Sequence, residues 1–133
     1  MYNNYSLKSI PERTVKPREN GFTMIMDKGL SCREVENLID SAEHVIDIVK
    51  LGWATSYVTA KLEEKLAIYR DANIPVYFGG TLFEAFIVRN QFEDYIKVIE
   101  KYDLKYAEVS DGSIELDHGK KCEYISRLAE IVT

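Results

Sequence analysis

Four short apolar runs, each followed by a polar, glycine-containing break and then a stretch of helical periodicity, constrain this chain more than any other feature. The runs are "FTMIM" (22–26), "HVIDIVK" (44–50), "IPVYF" (74–78) and "KYAEVS" (105–110), starting at steps of 22, 30 and 31 residues. Between them apolar residues recur every three or four positions, which predicts helices. The first helix starts at Ser31 and carries Val35, Leu38, Ile39 and Ala42, with Ser31 and Glu34 spaced as a capping box. A second, over 57–71, presents Ala60, Leu62, Leu66, Ala67 and Tyr69. A third helical region covers 81–102 with a break near Asn90, and a last helix over 117–131 turns Cys122, Ile125, Leu128 and Ala129 inward.

Strand and helix alternating at this spacing predict repeated βα units, with a parallel sheet and right-handed crossovers. Strands in such sheets are apolar because both faces are covered, and ligands collect at their carboxyl ends. Residues 1–20 are polar, hold two of the three prolines, and read as an N-terminal arm that is laid over the domain or left mobile. Residues 21–133 are the βα portion.

The four strand ends read "DKG", "KLGWATS", "FGGT" and "EVSDGS". Glycine there often only makes a turn, and Ser or Asp often only caps the next helix. Together, however, the ends gather Lys28, Lys50, Asp27, Glu108, Asp111 and glycine loops on one rim. Alternation places Lys50 on the face of Ile46 and Ile48, towards a sheet or barrel interior, where an ammonium needs an anionic partner. Of Asp27 and Lys28, neighbours in sequence, one points inward. Glu108 and Ser110 share a face. Gly79-Gly80-Thr81 leads directly into a helix, so its N–H groups suit a phosphate or carboxylate. Lysines beside acids suit an anionic substrate bound with Mg²⁺, which favours oxygen ligands. Trp53 is placed to wall the pocket.

The formal net charge of −5 and pI of about 5.1 argue against a nucleic-acid or anionic-membrane surface. No apolar run approaches the roughly 20 residues of a membrane span, and the first twenty residues lack a secretory apolar core. Cys32 and Cys122 form no CxxC pair, and with His44 and His118 they show no zinc spacing, so both thiols are expected reduced. A cytoplasmic protein is expected.

The segments "MDKGL", "VKLGWATS", "GGTLFE" and "EVSDGS", in this order and spacing, resemble the phosphosulfolactate synthase family from Gly21 to about Ala129. The resemblance implies a TIM barrel that adds sulfite to phosphoenolpyruvate with Mg²⁺, in coenzyme M synthesis or sulfolactate formation. It implies Lys28 and Lys50 as catalytic cations and Asp27, Glu108 and Asp111 as metal or water ligands. Gly52, Ser56, Gly79, Gly80, Thr81, Ser110 and Gly112 would bind substrate. A (β/α)₈ barrel takes about 250 residues, so the chain is expected to be a half-barrel of four units. Its open edges and uncovered inner face favour a homo-oligomer, and the general acid would lie in the absent strands. The competing readings are a non-catalytic or incomplete half-barrel, and another phosphate-handling TIM-barrel lyase, for example one using Lys50 as a Schiff base.

Overall fold

The computed structural model describes residues 4–132. In chain order its elements are β1 (Met24–Asp27), α1 (Cys32–Ala42), a 3₁₀ turn (Glu43–Val45), β2 (Ile48–Leu51), α2 (Thr55–Val58), α3 (Leu62–Asp71), β3 (Val76–Phe78), α4 (Gly80–Ile87), α5 (Phe92–Lys101) and α6 (His118–Ala129). The strands form one parallel sheet in the order β1-β2-β3.

Local chemistry sets the helix boundaries. Ser31 Oγ accepts the Glu34 amide at 3.3 Å, and the Glu34 carboxylate accepts the Ser31 amide at 2.7 Å. This reciprocal box is worth about 1 kcal/mol. Asn90 breaks the third helical region into α4 and α5, taking φ 56, a left-handed conformation that asparagine tolerates. The second predicted helix also divides, because Thr59 leaves the helix in extended backbone (ψ 112).

Register decides what each face of the sheet does. Asp27, Leu51 and Phe78 are paired across the strands, as are Met26, Lys50 and Tyr77. The first row, with Val49 and Val76, is buried beneath the helices in a core that includes Val35, Leu66, Tyr69, Phe83, Tyr95 and Ile99. On the second row Met24 and Met26 are 46% and 41% exposed. Coverage on both faces, the rule for complete parallel sheets, is thus lacking at β1, in keeping with the uncovered inner face of a half-barrel. Parallel crossovers of one hand put successive helices on one side of the sheet, while on the other Glu108 lies against Lys50 and the methionines of β1 stay open.

Two further expectations change. Residues 105–110 do not form a fourth strand, and no backbone–backbone hydrogen bond is made along them among the described residues. β3 is three residues long and offers a short ladder, while side chains of the segment find stronger partners described below. In α6 the inward residue is Leu128, 2% exposed; Cys122, Ile125 and Ala129 face outward. The helix is rotated by Tyr124, whose ring packs on Phe83 and Phe92 at 5.6 and 4.5 Å between centroids. Both cysteines are free.

The polar residues ahead of β1 are tied to the end of the sheet where the strands begin. The Arg18 guanidinium is buried against Asp47, and Asp47 also accepts the Thr23 amide at 2.7 Å.

Candidate functional site

At the opposite end, where the strands finish, β2 presents Lys50 from the open face. Its ammonium lies 2.8 and 2.6 Å from the two carboxylate oxygens of Glu108. Glu108 Oε2 also accepts the amide of Gly80, the first residue of α4, at 3.2 Å. Tyr77, in register with Lys50, has its hydroxyl pKa pushed up by burial, with Lys50 opposing and Glu108 adding to the shift.

The double glycine is demanded by packing. A Cβ on Gly80 would stand 2.3 Å from Cβ of Ser110, and one on Gly79 would stand 2.7 Å from the backbone of Trp53. The missing Cβ of Gly80 lets residues 108–110 lie directly on the start of α4, which brings Glu108 to Lys50, while that of Gly79 makes room for the backbone of Leu51 and Trp53.

A second carboxylate organises the neighbouring loop. Glu84, buried on α4, accepts the Ser110 hydroxyl, the Gly112 amide at 2.8 Å and the Ser113 amide at 3.2 Å. Burial alone would raise its pKa, but these donors together hold it below the ordinary glutamate range. Glu84 stands inside the quoted "GGTLFE" segment and was not among the expected site residues. A lone charge in the otherwise apolar α4 was the signal for it.

The other expected residues separate from Lys50. Asp27 points beneath the helices: its carboxylate meets Lys65 Nζ at 2.7 Å, Tyr69 Oη at 3.0 Å, and the Gly29 and Leu30 amides at 2.8 Å each. Burial first, then the Asp27 charge, drives the Tyr69 hydroxyl pKa far up, so it stays a neutral donor. Lys65 and Tyr69 were unexpected as polar partners, although Lys65 sits three residues from Leu62 and four from Tyr69 on the apolar stripe. Lys28 is exposed and lies over the Trp53 ring, 5.7 Å from its centroid. Asp111 is exposed and paired with Lys121 at 2.7 Å. Gly52 is buried, its amide donating to the Asp27 carbonyl at 2.8 Å. Ser56 is buried at an apolar cleft lined by Phe78, Leu82 and Tyr102, and its hydroxyl has no hydrogen-bond partner among the described residues. Thr81 is half-buried in the first turn of α4. Lys50, Glu108, Gly80, Ser110 and Gly112 are thus drawn together, with Gly79 and Thr81 adjoining.

The three acids proposed for a metal do not converge. Among the described residues no three His, Cys, Asp or Glu side chains cluster as a metal site. Asp27 is saturated, Asp111 is paired with Lys121 and Glu108 with Lys50, so a cation would take Glu108 only once Lys50 is released, together with substrate oxygens and water. A cleft of about 300 Å³ lies at the other end of the sheet, between Arg70, Pro75, Tyr102 and Lys105. It opens where residues 105–110 fail to pair with β3 and is remote from this cluster.

A parallel three-stranded sheet with helices, and a lysine, a carboxylate and a helix-leading amide meeting at its strand ends, defines an α/β protein with a candidate site there. The chain belongs to the (2R)-phospho-3-sulfolactate synthase (ComA) family, whose model matches residues 11–132. It is 34% identical to the phosphosulfolactate synthase of Bacillus subtilis, over 96% of this chain and 50% of that protein. It is 32% identical to that of Methanothermobacter thermautotrophicus, over 86% and 45%. With that of Methanocaldococcus jannaschii it shares 36% identity, over 82% and 44%. The chain thus spans about half the length of the curated relatives it matches.

Proposed function

We propose that this chain supplies about half of a TIM-barrel phosphosulfolactate synthase, a carbon–sulfur lyase adding sulfite to phosphoenolpyruvate. The observation that carries the reading is the Lys50–Glu108–Gly80 cluster at the strand ends, in a chain of this family. In the reaction the sulfite sulfur lone pair forms a C–S bond to the methylene carbon. The C=C π pair moves to the adjacent carbon and onto the carboxylate, and a general acid protonates that carbon while the phosphate stays attached. Lys50 would hold the substrate's carboxylate or phosphate and stabilise the charge that gathers there. Lys28, Ser110, Gly79, Gly80, Thr81 and Gly112 would complete the substrate's contacts. Mg²⁺, held by phosphate oxygens and water with Glu108 once the substrate has released it from Lys50, would supply further stabilisation of that charge.

The protein's partners are proposed to be these small anions, in the cytoplasm, with no nucleic acid or membrane. Among the described residues no helix is long and apolar enough to cross a membrane. The exposed Met24 and Met26 favour association with a second copy, since exposed apolar sheet is uncommon in monomers.

Phosphorus NMR on the chain with phosphoenolpyruvate, sulfite and Mg²⁺ tests the reading. Appearance of phosphosulfolactate, lost in Lys50→Ala, is expected. Binding of phosphoenolpyruvate without turnover would favour an incomplete half-barrel, a reading that the half-length coverage supports. Absence of both binding and turnover would overturn the proposal.

A further inference from the structure

Glu108 sits where an anion bound by Lys50 would sit. Its carboxylate oxygens lie 2.8 and 2.6 Å from the Lys50 ammonium, and Oε2 also takes the Gly80 amide at 3.2 Å. A phosphate, carboxylate or sulfite placed for Lys50 needs the same N–H donors and brings a like charge against Glu108. Ligand and Glu108 therefore compete for one seat.

The segment carrying Glu108 is built so that it can yield. Along 105–110 no backbone–backbone hydrogen bond is made among the described residues, so withdrawing Glu108 breaks side-chain contacts and no sheet ladder. Two residues on, Ser110 is held separately by Glu84, which gives the segment a fixed point next to the movable one. The Glu108 and Lys50 side chains are 32% and 16% exposed, so an incoming anion can reach the pair from solvent.

Resting on the reading of Lys50 as the anion anchor, we propose that Glu108 is an internal competitor for the seat made by Lys50 and the Gly80 amide. It thereby sets the affinity an anion must exceed to enter. A seat that is open for a fraction of the time binds every ligand more weakly by that fraction. With Glu108 engaged nine-tenths of the time, the apparent Kd of any anion rises about tenfold. Weak monoanions are then kept out, while a substrate with further contacts at the rim overcomes the threshold. Glu108 sets an affinity threshold on this account, the same factor for every anion, acting through occupancy of the seat.

The test is titration of the chain with inorganic phosphate, and separately with acetate, at low ionic strength, following amide shifts of Gly80 and Leu51 by NMR. Glu108→Gln keeps an acceptor for the Gly80 amide and removes the charge. It is expected to tighten both anions about tenfold relative to wild type, as is Glu108→Ala, with the remaining amide spectrum unchanged. Equal or weaker binding in both variants would overturn the proposal, as would a failure of phosphate to bind any of the three proteins. Lys50→Ala in each background separates the two ideas. If phosphate binding disappears with Lys50 but ignores Glu108, only the competitor role fails. If binding persists without Lys50, the anion-anchor reading fails as well.

Discussion

The two faces of the sheet each hold a lysine–carboxylate pair of nearly the same length, and they do different things. Asp27 and Lys65 meet at 2.7 Å with side chains 0% and 1% exposed, whereas Lys50 and Glu108 meet at 2.6 Å with 16% and 32% exposed. Asp27 spends its lone pairs on Tyr69 and two backbone amides besides Lys65. Glu108 spends its own on Lys50 and one amide at the edge of solvent. Distance does not separate a structural ion pair from an exchangeable one. Burial and saturation of hydrogen-bonding capacity do, because a buried charge that loses its partner has no water to replace it.

The sharpest way to break this comparison is to cut both pairs on the lysine side. Lys65→Ala strands a buried carboxylate and is expected to cost roughly 3–5 kcal/mol in chemical denaturation, while Lys50→Ala costs under about 1 kcal/mol. Equal losses would erase the distinction. Binding should show the reverse order. Lys50→Ala is expected to weaken phosphoenolpyruvate binding by roughly 1.5–3 kcal/mol by calorimetry, and a conservative Lys65→Met variant should leave it unchanged if it folds.

Glu84 sharpens the contrast through pH. Its pKa is lowered from the usual glutamate value of 4.5, so the stability it contributes is complete above that value. The contribution is lost as pH falls through the lower folded pKa. Glu84→Gln should cost about 1 kcal/mol at neutral pH and remove that acid-side loss. A wild type and variant with parallel pH profiles would refute the assignment. The smallest effect belongs to the open face. Met24→Lys should change stability by less than about 0.5 kcal/mol yet shift light scattering over a dilution series towards monomer. A wild type that is already monomeric throughout would remove the case for association.

Periodicity made most of the fold readable before the structure. The βα alternation, the capping box at Ser31 and the break near Asn90 depend on local spacing and local backbone preference. The fourth strand was misread because "KYAEVS" has strand-like alternation, and whether it pairs depends on a neighbour that its own residues do not encode. At the site, Lys50 was legible from parity along β2, since alternate residues share a face. The meeting of Glu108 with Lys50 was not, because it spans 58 positions and turns on the missing Cβ of Gly80. Asp27 was misplaced because only one of two adjacent residues can face each way. The choice fell to Lys65 and to Tyr69, the latter 42 positions away in sequence.

The absence of ladder bonds along residues 105–110 carries a consequence for amide exchange with solvent. Amides of β2 lie in the middle of the sheet, with Val49 bonded to Pro75, and should exchange deuterium only when the whole domain opens. Amides 106–109 have no backbone acceptor and should exchange at rates near those of an unstructured peptide, although Ala107 and Val109 pack against the core. The molecule would then divide into slow and fast exchange classes whose border runs between β3 and Glu108, along a line that ordinary measures of packing do not mark.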